Sequence, residues 1–185
     1  TLSSLADRIK IQRGADSTDI ILSVQHLLNC GDYGFCHGGN AISAFKWLHD
    51  LTMDTGSGVT YESANPYMAC SRESNEGFCL GQDWSCTTLN VARTCPSYTE
   101  DCVGLEKYPN ATIEDYGWFD STNAEVLKSE IYTNGPVVCQ ICGVPLINYT
   151  SGVFPDVSGE FDDCSIDHMI SIVGWGQTSQ ADSYW

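Results

Sequence analysis

Asp167-His168-Met169-Ile170-Ser171-Ile172-Val173-Gly174-Trp175-Gly176 is the stretch on which the reading of this chain turns. Met169 to Val173 is apolar on both faces, the pattern of a central strand covered on two sides. His168 opens that strand directly after an aspartate. A strand end at a cleft holds a side chain rigidly and leaves its tip reachable, which suits general acid–base work. A satisfied structural imidazole is the commoner occupant of such a place. His26 and His49 fall in helical segments among ordinary neighbours and read as surface or boundary residues, and His37 sits in a Gly-rich turn.

Working outward, the half before this stretch is helical. Leu2, Leu5, Ala6 and Ile9 fall on one helical face. Ser23 is placed to cap a second helix carrying Val24, Leu27 and Leu28 and ending near Asn29-Cys30-Gly31. Gly38-Gly39-Asn40 precedes a third, with Ala41, Ala44, Phe45 and Leu48 at helical spacing. From about Gly56 to Pro109 periodicity gives way to turn residues and cysteines. Then Ile113 to Tyr116 alternates, Thr122 and Glu125 form a capping box before Val126-Leu127 and Ile131, and Gly135-Pro136 stops that helix. Val137 to Cys142 is a strand candidate. Helices first and strands later predict an α+β fold, with two lobes meeting at a cleft.

The 185 residues suffice for one domain or two small lobes, and 42% apolar content supplies a core. The longest strongly apolar run, about ten residues around Met169 to Trp175, is too short to span a bilayer. Eight Lys and Arg stand against 24 Asp and Glu, a formal charge of −16, and the basic residues do not cluster, which argues against a nucleic-acid groove. Such acidity suits work in an acidic compartment, where protonation relieves self-repulsion; it also simply keeps a secreted protein soluble.

Ten cysteines fit an oxidising compartment. Five run from Cys70 to Cys102 at intervals of nine, seven, nine and seven, through polar sequence that holds shape only if stapled. Structural zinc wants paired ligands two to four residues apart. Only Cys139 and Cys142 have that spacing, and strand alternation sends them to opposite faces, so no metal is expected. Asn110-Ala111-Thr112 and Asn148-Tyr149-Thr150 are glycosylation sequons that agree with a secretory route.

Asp167-His168, its apolar strand and Gly174-Trp175-Gly176 resemble the histidine segment of papain-like cysteine proteases. Leu22-Ser23-Val24-Gln25 through Asn29-Cys30 resembles that family's LSxQ…C helix, Cys36-His37-Gly38-Gly39 its CxGG turn, and Ala64-Asn65-Pro66-Tyr67 its YPY segment, all in the family's order. Ala6-Asp7-Arg8-Ile9, Asp115-Tyr116-Gly117, Glu130 through Pro136 and Asn148 through Gly152 are similar to the cathepsin X branch. The cathepsin B branch is disfavoured, because its occluding loop needs a histidine pair and no histidine lies between His49 and His168.

The resemblance implies a papain-like two-lobed fold: residues 1–109 as a helical, disulfide-rich left lobe and 110–185 as a β-rich, barrel-like right lobe, truncated at both ends. It implies a peptidase in which His168 is catalytic, with Gly38, Gly39 and Asp167 at the substrate. The nucleophilic cysteine and the orienting asparagine would lie outside the chain, so these residues alone should be inactive. The cysteines Cys30, Cys36, Cys70, Cys79, Cys86, Cys95, Cys102, Cys139, Cys142 and Cys164 are expected in disulfides. By the family pattern Cys36 pairs outside the chain, parity then leaves at least one more cysteine without an internal partner, and the cathepsin X pattern points to Cys139. Cys30 is expected to bridge into the stretch beginning at Cys70. Asn110 and Asn148 are expected to be glycosylated, in a lysosomal, vacuolar or extracellular setting. A peptide or protein substrate, no cofactor, no nucleic acid, no membrane span and a monomeric state complete the expectation. A catalytically dead homologue that only binds peptides, and an unrelated disulfide-rich binding module, are the rival readings.

Overall fold

Leu2, Leu5 and Ile9 form the buried face of α1 (Leu2–Gln12), the amphipathic arrangement their spacing predicts. The computed structural model that shows this helix describes residues 1–97, 99–119, 123–154 and 165–185. The chain divides into two units, Thr1–Phe119 and Asp120–Trp185. Ala111 and Ile113 are buried in the first unit's core.

That core gathers Leu2, Leu5 and Ile9 with Leu22, Leu48, Val59, Ala111 and Ile113. Leu48 comes from α3 (Ala41–Thr55), which Asn40 caps by accepting the Ser43 N–H and which Gly56 ends in the left-handed conformation. Residues 108–111 are pressed against the 58–59 segment. Gly58 donates to the Tyr108 carbonyl (2.7 Å), Val59 to that of Ala111 (3.3 Å), and a Cβ on Gly58 would fall 2.0 Å from the Asn110 oxygen. Ala111 takes a positive φ of 52° there.

The second helix, α2 (Val24–Cys30), begins as expected at Ser23, whose Oγ accepts the His26 N–H (2.9 Å) and donates to the Asn65 carbonyl (2.6 Å). Its buried face is more polar than the apolar residues suggest. Gln25, His26, Leu28 and Asn29 point inward and Val24 is exposed. Gln25 explains the choice. Its amide nitrogen donates to Asn29 Oδ1 (2.7 Å) and the Cys70 carbonyl (2.8 Å), and its oxygen accepts the Met68 N–H (2.9 Å). The irregular 65–71 segment has no ladder to satisfy these backbone groups, so a polar helix face does it instead.

Two-residue strands β1 (Gly34–Phe35) and β2 (Gly38–Gly39) form a hairpin through Cys36 and His37. A short α4 (Thr88–Val91) leads to the paired strands β3 (Arg93–Thr94) and β4 (Val103–Gly104). Disulfides Cys30–Cys86, Cys70–Cys79 and Cys95–Cys102 staple this stretch. The alternation at Ile113 to Tyr116 makes no strand. The Ile113 N–H goes to Thr52 Oγ1 (3.2 Å) and the Tyr116 N–H to Asp115 Oδ1 (2.8 Å), so side chains take the donors a neighbouring strand would need.

In the second unit, α5 (Ala124–Asn134) is capped by Asn123, which accepts the Glu125 and Val126 N–H groups, and ends at Gly135. Thr122, the expected cap, lies outside the described residues. β5 (Val137–Ile141) runs antiparallel to β6 (His168–Ile172), with Ile141 opposite His168 and Cys139 opposite Ile170. Strands β7 (Gly176–Gln177) and β8 (Ser183–Tyr184) form a second pair. Among the described residues strands pair only in twos, so the barrel-like closure expected here, which needs neighbours on both strand edges, is not found. β6 is also not the doubly covered strand its sequence suggests: Met169 to Ser171 are half-buried, only Ile172 is buried, and Val173 beyond its end is exposed. No helix among the described residues is long and apolar enough to cross a membrane.

Candidate active site

His168 stands at the first residue of β6 and is exposed. Three contacts fix its base. The pairing with Ile141 sets the strand end. The Asp167 N–H donates to the Ile141 carbonyl (3.2 Å), and Asp167 Oδ1 accepts the Gly143 N–H (2.9 Å). One carboxylate oxygen beside the histidine is thus engaged with backbone. Among the described residues the imidazole itself makes no hydrogen bond, so it is held at its root and open at its tip. Such a group can exchange protons with a molecule arriving from solvent.

Gly38 and Gly39 lie exposed in β2 of the first unit. Gly39 packs closely on its partner strand: a Cβ there would meet Gly34 Cα and the Tyr33 oxygen at 3.1 Å. The other side of β2 has no strand neighbour among the described residues. Extended backbone of that kind can accept an added strand.

The cysteines sort by state. The three bridges take six, and Cys142 is also disulfide-bonded. Cys36 carries an exposed free thiol in the β1–β2 turn and Cys139 a half-buried one in β5. Neither lies at a helix N-terminus, where a thiolate is stabilised. Cys164 falls outside the described residues. Among those residues no cluster of histidine, cysteine or carboxylate side chains could hold a metal ion. Asn110 and Asn148 are both exposed.

His26 corrects the sequence reading. It is 3% exposed rather than a boundary residue. Its Nδ1 accepts the Thr60 N–H (3.2 Å), and its ring meets Trp47 edge-on, centroids 5.3 Å apart. Burial pushes its pKa down to about 4. The sequence hid this because the partners that hold the ring inward, Thr60 and Trp47, lie far along the chain. Gly143 was missed too: nothing in Cys142-Gly143-Val144-Pro145 announces contact with a histidine 25 positions on. A groove of about 460 Å³ between Lys128 and the aromatics Trp175, Tyr184 and Trp185 does not include His168.

A strand-end histidine after a short carboxylate, a disulfide-stapled helical unit and a glycine hairpin between α2 and α3 are the features in which the chain resembles papain-like cysteine proteases. The match to the papain family of cysteine proteases extends over residues 1–185, and the chain belongs to that family. It is 29% identical over 185 residues to a cathepsin Z of Onchocerca volvulus, covering 99% of this chain and 52% of that protein. It is 29% identical over 184 residues to a cathepsin B of Dictyostelium discoideum, covering 98% and 52%. The solved structure of digestive procathepsin L 3 from the larval midgut of Tenebrio molitor superposes with a TM-score of 0.64 at 25% identity, over 98% of this chain and 48% of that one. The chain spans about half the length of the relatives it matches.

Proposed function

We propose that the protein carrying these residues hydrolyses peptide bonds with a cysteine thiolate, and that His168 is its acid–base partner. The observation that carries the proposal is the exposed imidazole at the start of β6, fixed at its root, in a chain that matches the papain family throughout. By the family resemblance the thiolate comes from outside these 185 residues; of the nine described cysteines seven are bonded, and the free thiols of Cys36 and Cys139 sit in a hairpin turn and a strand. The thiolate attacks the scissile carbonyl; His168 protonates the leaving amine, then takes a proton from the water that releases the acyl group. Gly38 and Gly39 hold an extended substrate by backbone hydrogen bonds, and Asp167 contributes within its own unit by ordering the Gly143 turn.

The motifs shared with the cathepsin X branch support carboxypeptidase action by a monomer, with no cofactor. Disulfides and two exposed sequons support passage through the secretory route to a lysosomal, vacuolar or extracellular site, with sugar on Asn110 and Asn148. The test is His168→Ala in the full-length protein. Peptide hydrolysis should fall by at least about 10²-fold, the value of a positioned acid–base group. Activity retained within about tenfold would remove His168 from the role. The 185-residue chain alone should show no turnover.

A further inference from the structure

Gly143 ends the turn that follows β5, and its backbone (φ −84°, ψ −24°) is right-handed helical, open to any residue. Conformation therefore does not demand a glycine there. Space does. A Cβ at this position would lie 2.8 Å from His168 Cβ, 3.2 Å from His168 Cγ and 3.3 Å from Asp167 Oδ1. The first two atoms are the root of a side chain fixed in the β5–β6 ladder, not the tip of a flexible one, so they cannot swing aside cheaply. The same glycine donates its N–H to Asp167 Oδ1 (2.9 Å), which holds the turn against the strand.

We infer that Gly143 is a positioning residue for His168: the missing side chain leaves the space the imidazole needs, and position 143 thereby sets the ring's χ1 and its aim. The inference rests on the peptidase reading for its catalytic consequence but not for its geometry. Displacing a reacting group by about 1 Å costs up to about 10²-fold in rate.

The experiment is Gly143→Ala in the full-length protein, with Val144→Ala, which trims an exposed side chain, as control. The alanine should lower kcat by roughly tenfold to a hundredfold while KM changes less than about threefold. It should displace the histidine limb of the pH profile and change the three-bond couplings that report His168 χ1. The control should leave all of these at wild-type values. Wild-type couplings together with kcat/KM within about twofold of wild type would overturn the inference. If the wild-type protein hydrolyses no peptide, the peptidase reading fails, and the couplings alone still decide whether position 143 sets the ring. If Gly143→Ala does not fold, the double variant Gly143→Ala with His168→Gly removes both crowded atoms. Recovery of folding supports the contact and continued failure overturns it.

Discussion

The two units of the chain are built on different principles. In residues 1–119 the described part buries twelve apolar side chains around α1, α2 and α3 and carries three disulfides. In residues 120–185 the described part buries four, Leu127, Ile131, Val137 and Ile172. The imidazole proposed for the chemistry belongs to the second unit, and it is held by strand pairing and a backbone-bound carboxylate rather than by depth. Rigidity at the proposed proton-transfer site is thus supplied locally, while most of the buried apolar side chains lie in the first unit.

The largest expected effect tests that division directly. Leu48, 1% exposed in the first core, should lose about 3–5 kcal/mol of folding free energy on replacement by alanine. Leu127, 4% exposed on α5, should lose less in its own unit, because fewer buried neighbours surround the cavity. Chemical denaturation of both variants measures it; a Leu127→Ala loss equal to that of Leu48→Ala would break the comparison.

The next effect is electrostatic and belongs to the first unit alone. Folded His26 has a pKa near 4, below its ordinary 6.5, so between these values the unfolded chain takes up a proton that the folded chain refuses. Its contribution is complete above pH 6.5 and declines as pH falls to about 4, by about 3 kcal/mol in all. His26→Asn, which keeps an acceptor for the Thr60 N–H, should flatten that part of the stability–pH curve. An unchanged slope would mean the decline comes from other groups. The smallest effect sharpens the picture at a helix end: Ser23→Ala removes the cap of α2 and should cost about 1 kcal/mol by thermal unfolding.

The helices were legible because short-range rules govern them. Ser23 and Asn40 are good caps, and Leu2, Leu5 and Ile9 keep one period. His168 stood out because it opens an apolar run that leads into Gly174-Trp175-Gly176, and it stands at the first residue of β6. What escaped depended on distant partners. The inward turn of Gln25 and His26 answers to Cys70 and Thr60, more than thirty positions away. The failure of Ile113 to Tyr116 to form a strand answers to Thr52. The burial of Ala111 and Ile113 answers to partners much earlier in the chain. Gly143 matters only through a side chain it touches across a turn.

The crossing of residues 58–59 with 108–111 sets an order of events for the first sequon. Asn110 points outward, but Ala111 is 6% exposed and its carbonyl is bound to Val59. A transferase that must draw an extended tripeptide into its own cleft would have to tear this crossing open. Any glycan on Asn110 is therefore added while the chain is still nascent. Asn148, Tyr149 and Thr150 all face solvent and stay available after the unit has closed.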